Sequence, residues 1–225
     1  MTGTGEKHPP PWLWPNLLGL DAPVVAVSWQ LLFAKTFDTA FPVVLHVILG
    51  LSVWCIYLAD RLYDATRTGE PEQGTDRLIF TSRHYKPLTA ALAIASVANL
   101  ILIIRHVPGN LIIYGLATAF LLVVYYGIRL KGGARLTTLI PREILCGMLF
   151  SIGCAITPLA YAAPGTSGLQ FWIAVVCFGL VCSASCILIS IWEREEDLSA
   201  GDRSIATISP RITRHISTAI ILIGV

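Results

Sequence analysis

Apolar residues in this chain come in long unbroken runs: Leu17–Phe37, Thr39–Ala59, Leu88–Ile104, Leu111–Ile128, Leu136–Ala160 and Leu169–Trp192. Each run is near the roughly 20 residues that a helix needs to cross a bilayer. A further run, Ile216–Val225, is half a crossing and reads as the start of a seventh. The expected fold is therefore all-α, a polytopic transmembrane helical bundle of six full spans plus the start of a seventh. The expected organisation is a polar, Pro-rich segment over residues 1–16, followed by a transmembrane domain over residues 17–225 that reads as incomplete at its C-terminus. Trp12 and Trp14 are expected at the headgroup level. No basic stretch leads into a cleavable apolar core, so the N-terminus is not read as a secretory signal. Pro42, Pro108 and Pro158 mark kinks or helix starts.

Composition agrees. Hydrophobic residues make up 55% of the 225 residues and charged residues 13%, against about 25% charged in soluble domains. The six cysteines all fall inside apolar runs with no metal-type spacing. They read as small buried hydrophobes, not as disulfides or a cluster.

Charge placement adds orientation. Thirteen of the sixteen Lys and Arg fall in three segments, Arg61–Lys86, Arg129–Arg142 and Arg194–Arg214. The alternate connections are nearly bare. The positive-inside rule puts the three charged loops, and by alternation the N-terminus, in the cytoplasm. The expected location is integral to a membrane, the bacterial inner membrane, with the lipid bilayer as a partner and no nucleic acid. The sequence leaves the oligomeric state open. Of the fourteen Asp and Glu, all but Glu6, Asp21 and Asp38 lie on the same charged face.

Two pairs of acids stand out on that face. Asp60 and Asp64 follow the second apolar run, and Glu193 and Asp197 follow the sixth. Spacing of four residues puts each pair on one helix face, about 6 Å apart along the axis. Acids at the mouth of a membrane helix are costly unless a cation shares the site. Mg²⁺ takes carboxylate oxygens together with substrate phosphate, and the surrounding Arg and Lys suit a diphosphate. With an oily bundle beneath, the combination reads as a site for a lipid diphosphate, its head at the interface and its tail among the helices.

The stretch Ile56-Tyr57-Leu58-Ala59-Asp60-Arg61-Leu62-Tyr63-Asp64 resembles the first aspartate-rich motif of the UbiA-type intramembrane prenyltransferases, with Asp60 and Asp64 on its last two aspartates and Ile56-Tyr57 in place of its leading Asn-Asp. The stretch Glu193 to Ser204 resembles the second motif, with Glu193 and Asp197 at its acidic positions and Gly201 and Ser204 also matching. Lys86-Pro87-Leu88 is similar to the basic-Pro-Leu step, and Tyr126 with Arg129 and Lys131 to the Tyr-then-basic element. The family normally has nine helices.

This resemblance implies Mg²⁺-dependent transfer of a prenyl group from a polyprenyl diphosphate to a small acceptor, often aromatic or quinone-type. It implies Asp60, Asp64, Glu193 and Asp197 as metal ligands, and Arg61, Lys86, Arg129, Lys131 and Arg194 as diphosphate ligands. Tyr126, or Tyr125, would face the developing allylic cation. Two other classes of function stay open. One is a non-catalytic polyisoprenoid-diphosphate-binding membrane protein. The other is a transporter or structural membrane subunit, which the near absence of charge inside the runs disfavours.

Each residue also has a plainer reading. The acidic pairs can be solvated helix ends, and Glu195 and Glu196 lie off the shared face. The basic residues can be positive-inside anchors. Arg142 and Glu143 can pair with each other, Tyr57 can be a packing residue, and mid-run His46 can be satisfied by a neighbouring helix.

Overall fold

The structure, a computed structural model, describes residues 10–67, 75–131, 141–163, 168–199 and 204–208. The side chains of Tyr125, Tyr126, Arg129, Lys131, Glu196 and Asp197 lie outside the described set, as do the run Ile216–Val225 and the segment 136–140. Every regular element among the described residues is a helix.

A 3-10 turn, Pro11–Leu13, leads into α1 (Trp14–Leu17) and α2 (Asp21–Thr36). The longer helices are α3 (Val44–Arg67), α5 (Tyr85–His106), α6 (Gly109–Lys131), α7 (Arg142–Tyr161) and α8 (Leu169–Trp192). Shorter pieces are α4 (Asp76–Arg83), α9 (Arg194–Ser199) and α10 (Ile205–Ile208).

The first expected span is not one straight helix. The chain bends by 79° between Pro11–Leu17 and Asp21–Thr36. Gly19 makes the corner at φ +69°, a conformation that a side chain resists. Asn16 Nδ2 then donates to Asp21 Oδ2 at 3.1 Å, and that carboxylate sits favourably in the first turn of α2. At the other end Asp38 takes φ 49°, the left-handed residue that closes many helices.

Among the described residues four helices, α3, α5, α7 and α8, are long and apolar enough to cross a membrane, and the bent pair makes a fifth if it counts as one span. The apolar part of α6 is described as far as Val124, before its basic end. Two boundaries move from the expected ones. Pro42 delays α3 to Val44, but the helix then runs through Asp60 and Asp64 to Arg67. α7 starts after Pro141, and the expected beginning of that run at Leu136 lies outside the described residues.

The tightest pair is α7 against α8. A Cβ on Gly147 would overlap the backbone nitrogen of Ser183, and one on Gly179 would meet Met148. Ser151 Oγ donates to the Val175 carbonyl at 2.6 Å, and Ser183 Oγ to that of Gly179 at 2.7 Å. Small residues one turn apart let the two backbones approach this closely. The aromatic core lies beside this seam: Trp29 stacks on Phe178 at 3.9 Å between ring centres, and Phe33, Phe37 and Phe171 close around it.

Elsewhere α5 rests mainly on α3 and α6 mainly on α7. Leu45, Ile48 and Leu111, with Val107, Ile156 and Tyr161, join these pairs at the end away from the charged segments. Asn99 Nδ2 donates to Ser52 Oγ at 2.8 Å in the α3–α5 seam. Outward faces of α5 and α6 expose Ile94, Ile104, Ile113, Leu116 and Phe120, an apolar surface on a scale that water does not favour.

Candidate functional site

The charged end of the bundle gathers the last turns of α3, the short α4, the starts of α5 and α7, and the α8–α9 corner. The last turns of α3 set its geometry. Consecutive helical residues point about 100° apart, so Asp60 and Arg61 face different neighbours.

Arg61 turns to the N-terminal segment. Its Nη1 donates to the carbonyls of Asn16 at 2.6 Å and Leu17 at 3.1 Å. Its Nη2 donates to the Tyr57 hydroxyl at 3.0 Å, and the guanidinium carbon lies 4.4 Å from the centre of the Tyr57 ring. The residue is 6% exposed. Arg61 was expected to hold diphosphate. In the structure it reaches the last two carbonyls of α1, where a helix end leaves acceptors to fill, and that of Asn16 also accepts the Gly19 N–H. Tyr57 completes this clamp, and Trp54 Nε1 adds a bond to the Leu18 carbonyl at 2.9 Å.

Asp60 occupies a different face of α3. It lies within electrostatic range of Cys146 on α7, as do Arg142 and Glu143. Asp60 and Asp64 are both half-buried and both have polar or electrostatic partners.

The second acidic stretch is reached through α4. The Arg77 guanidinium donates to and pairs with Glu193 Oε1, and both side chains are about three-quarters buried. Arg77 follows the first acidic stretch by sequence, and Glu193 opens the second. This contact therefore bridges them across 116 residues. Beneath it Phe80 packs on the Leu58, Leu62 and Leu88 cluster and meets Trp14 edge-on at 6.0 Å. The amphipathic α4 is thus held from below by apolar contacts and from above by charge.

Of the expected diphosphate ligands, Lys86 is exposed at the start of α5. Arg194 is exposed too, and its Nε donates to the Ala206 carbonyl at 3.1 Å. The backbones of Tyr126, Arg129 and Lys131 end α6 and that of Asp197 lies in α9, but these four side chains lie outside the described set.

Carboxylate oxygens are the donors that Mg²⁺ prefers, and in that respect Asp60, Asp64 and Glu193 fit. No cluster of three or more ligating side chains forms among the described residues. Glu193 faces Arg77, and Asp197 would have to complete the set.

Two residues were missed as site members. Arg77 read as one of several loop cations, and its partner lies too far along the chain for spacing to signal it. Glu143 read as the partner of Arg142, and Arg142 Nε does lie 3.3 Å from Glu143 Oε1. Its other contact, with the backbone of Ile205, had no local signal. His46 does find a neighbouring helix: its Nδ1 is 2.5 Å from Gln30 Oε1 on α2.

No family model, curated protein or solved structure matches the chain.

Proposed function

We propose that this protein is a magnesium-dependent prenyltransferase working within the membrane, moving a prenyl group from a polyprenyl diphosphate to a small aromatic or quinone-type acceptor. The observation that carries the reading is the Arg77–Glu193 contact, which draws the segment after one acidic stretch onto the start of the other. Acids from distant parts of the chain thereby share one end of an apolar bundle, as a lipid diphosphate head requires.

Asp60, Asp64, Glu193 and Asp197 would hold the metal. When bound, Mg²⁺ supplies the positive charge that neutralises the diphosphate as it leaves. Lys86, Arg129, Lys131 and Arg194 would take phosphate oxygens. Tyr126 would offer its ring face to the allylic carbon. The tail would lie between the α3/α5 and α6/α7 pairs. In this reading six spans cross a bacterial inner membrane, with the charged loops and N-terminus in the cytoplasm.

One observation favours a second reading, binding without turnover. The position where the resembled family has an acid holds Tyr57, and its hydroxyl is committed to Arg61. One carboxylate fewer weakens metal capture more than it weakens burial of the tail.

The test is retention of farnesyl or geranylgeranyl diphosphate by the purified full chain in lipid nanodiscs. Retention should need Mg²⁺ and fall at least about tenfold, one lost charge-assisted contact, with Asp64→Ala or Asp197→Ala. Diphosphate release on adding an aromatic acceptor then selects transfer over binding. A chain that retains neither lipid, with or without the metal, is a transporter or a structural subunit.

A further inference from the structure

Glu143 is a carboxylate that the proposed chemistry does not use. It lies in the first turn of α7 and is 3% exposed. Burying a carboxylate costs several kcal/mol unless its oxygens are engaged. Oε1 accepts the Ile205 backbone N–H at 3.1 Å and lies 3.3 Å from Arg142 Nε. Oε2 has no hydrogen-bond partner among the described residues.

Ile205 belongs to a small, firmly made unit. Ser204 N–H donates to Thr207 Oγ1 at 2.9 Å, and Thr207 N–H donates back to Ser204 Oγ at 3.3 Å. Ser204 and Ala206 are fully buried. The Ala206 carbonyl accepts Arg194 Nε at 3.1 Å. Two hydrogen bonds joined by the Ile205–Ala206 backbone therefore link the start of α7, through the Ser204–Thr207 turn, to the start of α9. The start of α9 adjoins Glu193 and leads to Asp197. On the α7 side, Cys146 lies one turn beyond Glu143 and is within electrostatic range of Asp60.

We propose that Glu143 is a positioning residue: it holds the Ile205 backbone, and through Ala206 and Arg194 sets where Glu193 and Asp197 stand relative to Asp60 and Asp64. This rests on the reading of those acids as a magnesium–diphosphate site. The role is hydrogen-bond acceptance, which a glutamine oxygen can also supply.

The test compares Glu143→Ala, Glu143→Gln and Thr207→Val in the full chain in nanodiscs. Hydrogen exchange of the Ser204–Thr207 amides, measured without metal or lipid, should speed up about tenfold in the alanine variant, with α8 unchanged. The Mg²⁺ concentration for half-maximal farnesyl diphosphate retention should rise, while the amount retained at saturating metal holds. Glu143→Gln should restore both. Thr207→Val, which loosens the same turn from its other side, should shift the Mg²⁺ requirement in the same direction even if the alanine variant does not fold. Unchanged exchange in Glu143→Ala overturns the proposal, and so does a glutamine variant as impaired as alanine. If the unmodified chain shows no Mg²⁺-dependent retention, the functional reading fails, and exchange alone decides whether Glu143 holds the turn.

Discussion

Arg61 shows how a charge in an acidic stretch can serve the fold. Its guanidinium satisfies two carbonyls and the Tyr57 hydroxyl away from water. Removing it leaves the Leu17 carbonyl and the Tyr57 hydroxyl without this donor, at about 1–3 kcal/mol, while the Asn16 carbonyl keeps the Gly19 N–H. Arg61→Ala should therefore lower thermal stability in detergent clearly. Lysine should recover little, since a point ammonium cannot span the same fork of acceptors. Prenyl diphosphate affinity per folded molecule should stay level, because the group faces α1. A fall in affinity with stability intact would return Arg61 to the ligand set. Gly147 makes a parallel case in packing. A leucine there has nowhere to go but into the Ser183 backbone. We expect a loss of about 1–3 kcal/mol, read as a lower unfolding temperature, and an exposed Gly115→Leu control should be silent.

Among the elements, α4 is the one whose placement matters most. It is eight residues long, too short to be stable alone. Phe80 and the Arg77–Glu193 pair hold it in place. Such a pair, mostly buried but reachable by water, should show a coupling of about 1 kcal/mol in a double-mutant cycle. The cycle of Arg77→Ala and Glu193→Ala, followed by thermal unfolding, measures it, and strict additivity of the two losses would dismiss the bridge. Exchanging the charges, Arg77→Glu with Glu193→Arg, should recover the stability. It should not recover Mg²⁺-dependent lipid retention, because the proposed metal ligand Glu193 has become a cation.

For the molecule as a whole, the open matter is which side of a membrane carries the charged end. In a background with the native cysteines replaced, Thr66→Cys at that end and Leu169→Cys at the other can be labelled with a membrane-impermeant thiol reagent. Both residues are exposed. Right-side-out bacterial vesicles should label position 169 and spare position 66, and inverted vesicles should reverse this. Any other pattern overturns the charge-based topology. The first expected span is the region that departs furthest in shape from a straight crossing. A run of apolar residues from Leu17 looked sufficient, but Gly19 turns the chain and leaves α2 with 16 residues, roughly 24 Å of helix.

What this chain's residues determine locally was legible from their order: apolar runs that become helices, charge gathered mostly at one end, and Asp60 and Asp64 four apart within α3, whereas Glu193 falls at the break between α8 and α9 and not on one continuous helix with Asp197. Those are properties of neighbours and of sums, and they need no knowledge of who meets whom. The tertiary structure alone decided that Arg61 serves α1, that Arg77 reaches Glu193, and that Glu143 holds Ile205. Each of these pairs joins positions 45 to 116 residues apart. Such partners are chosen by how helices pack and rotate, and a one-residue step turns a side chain by about 100° toward a different neighbour.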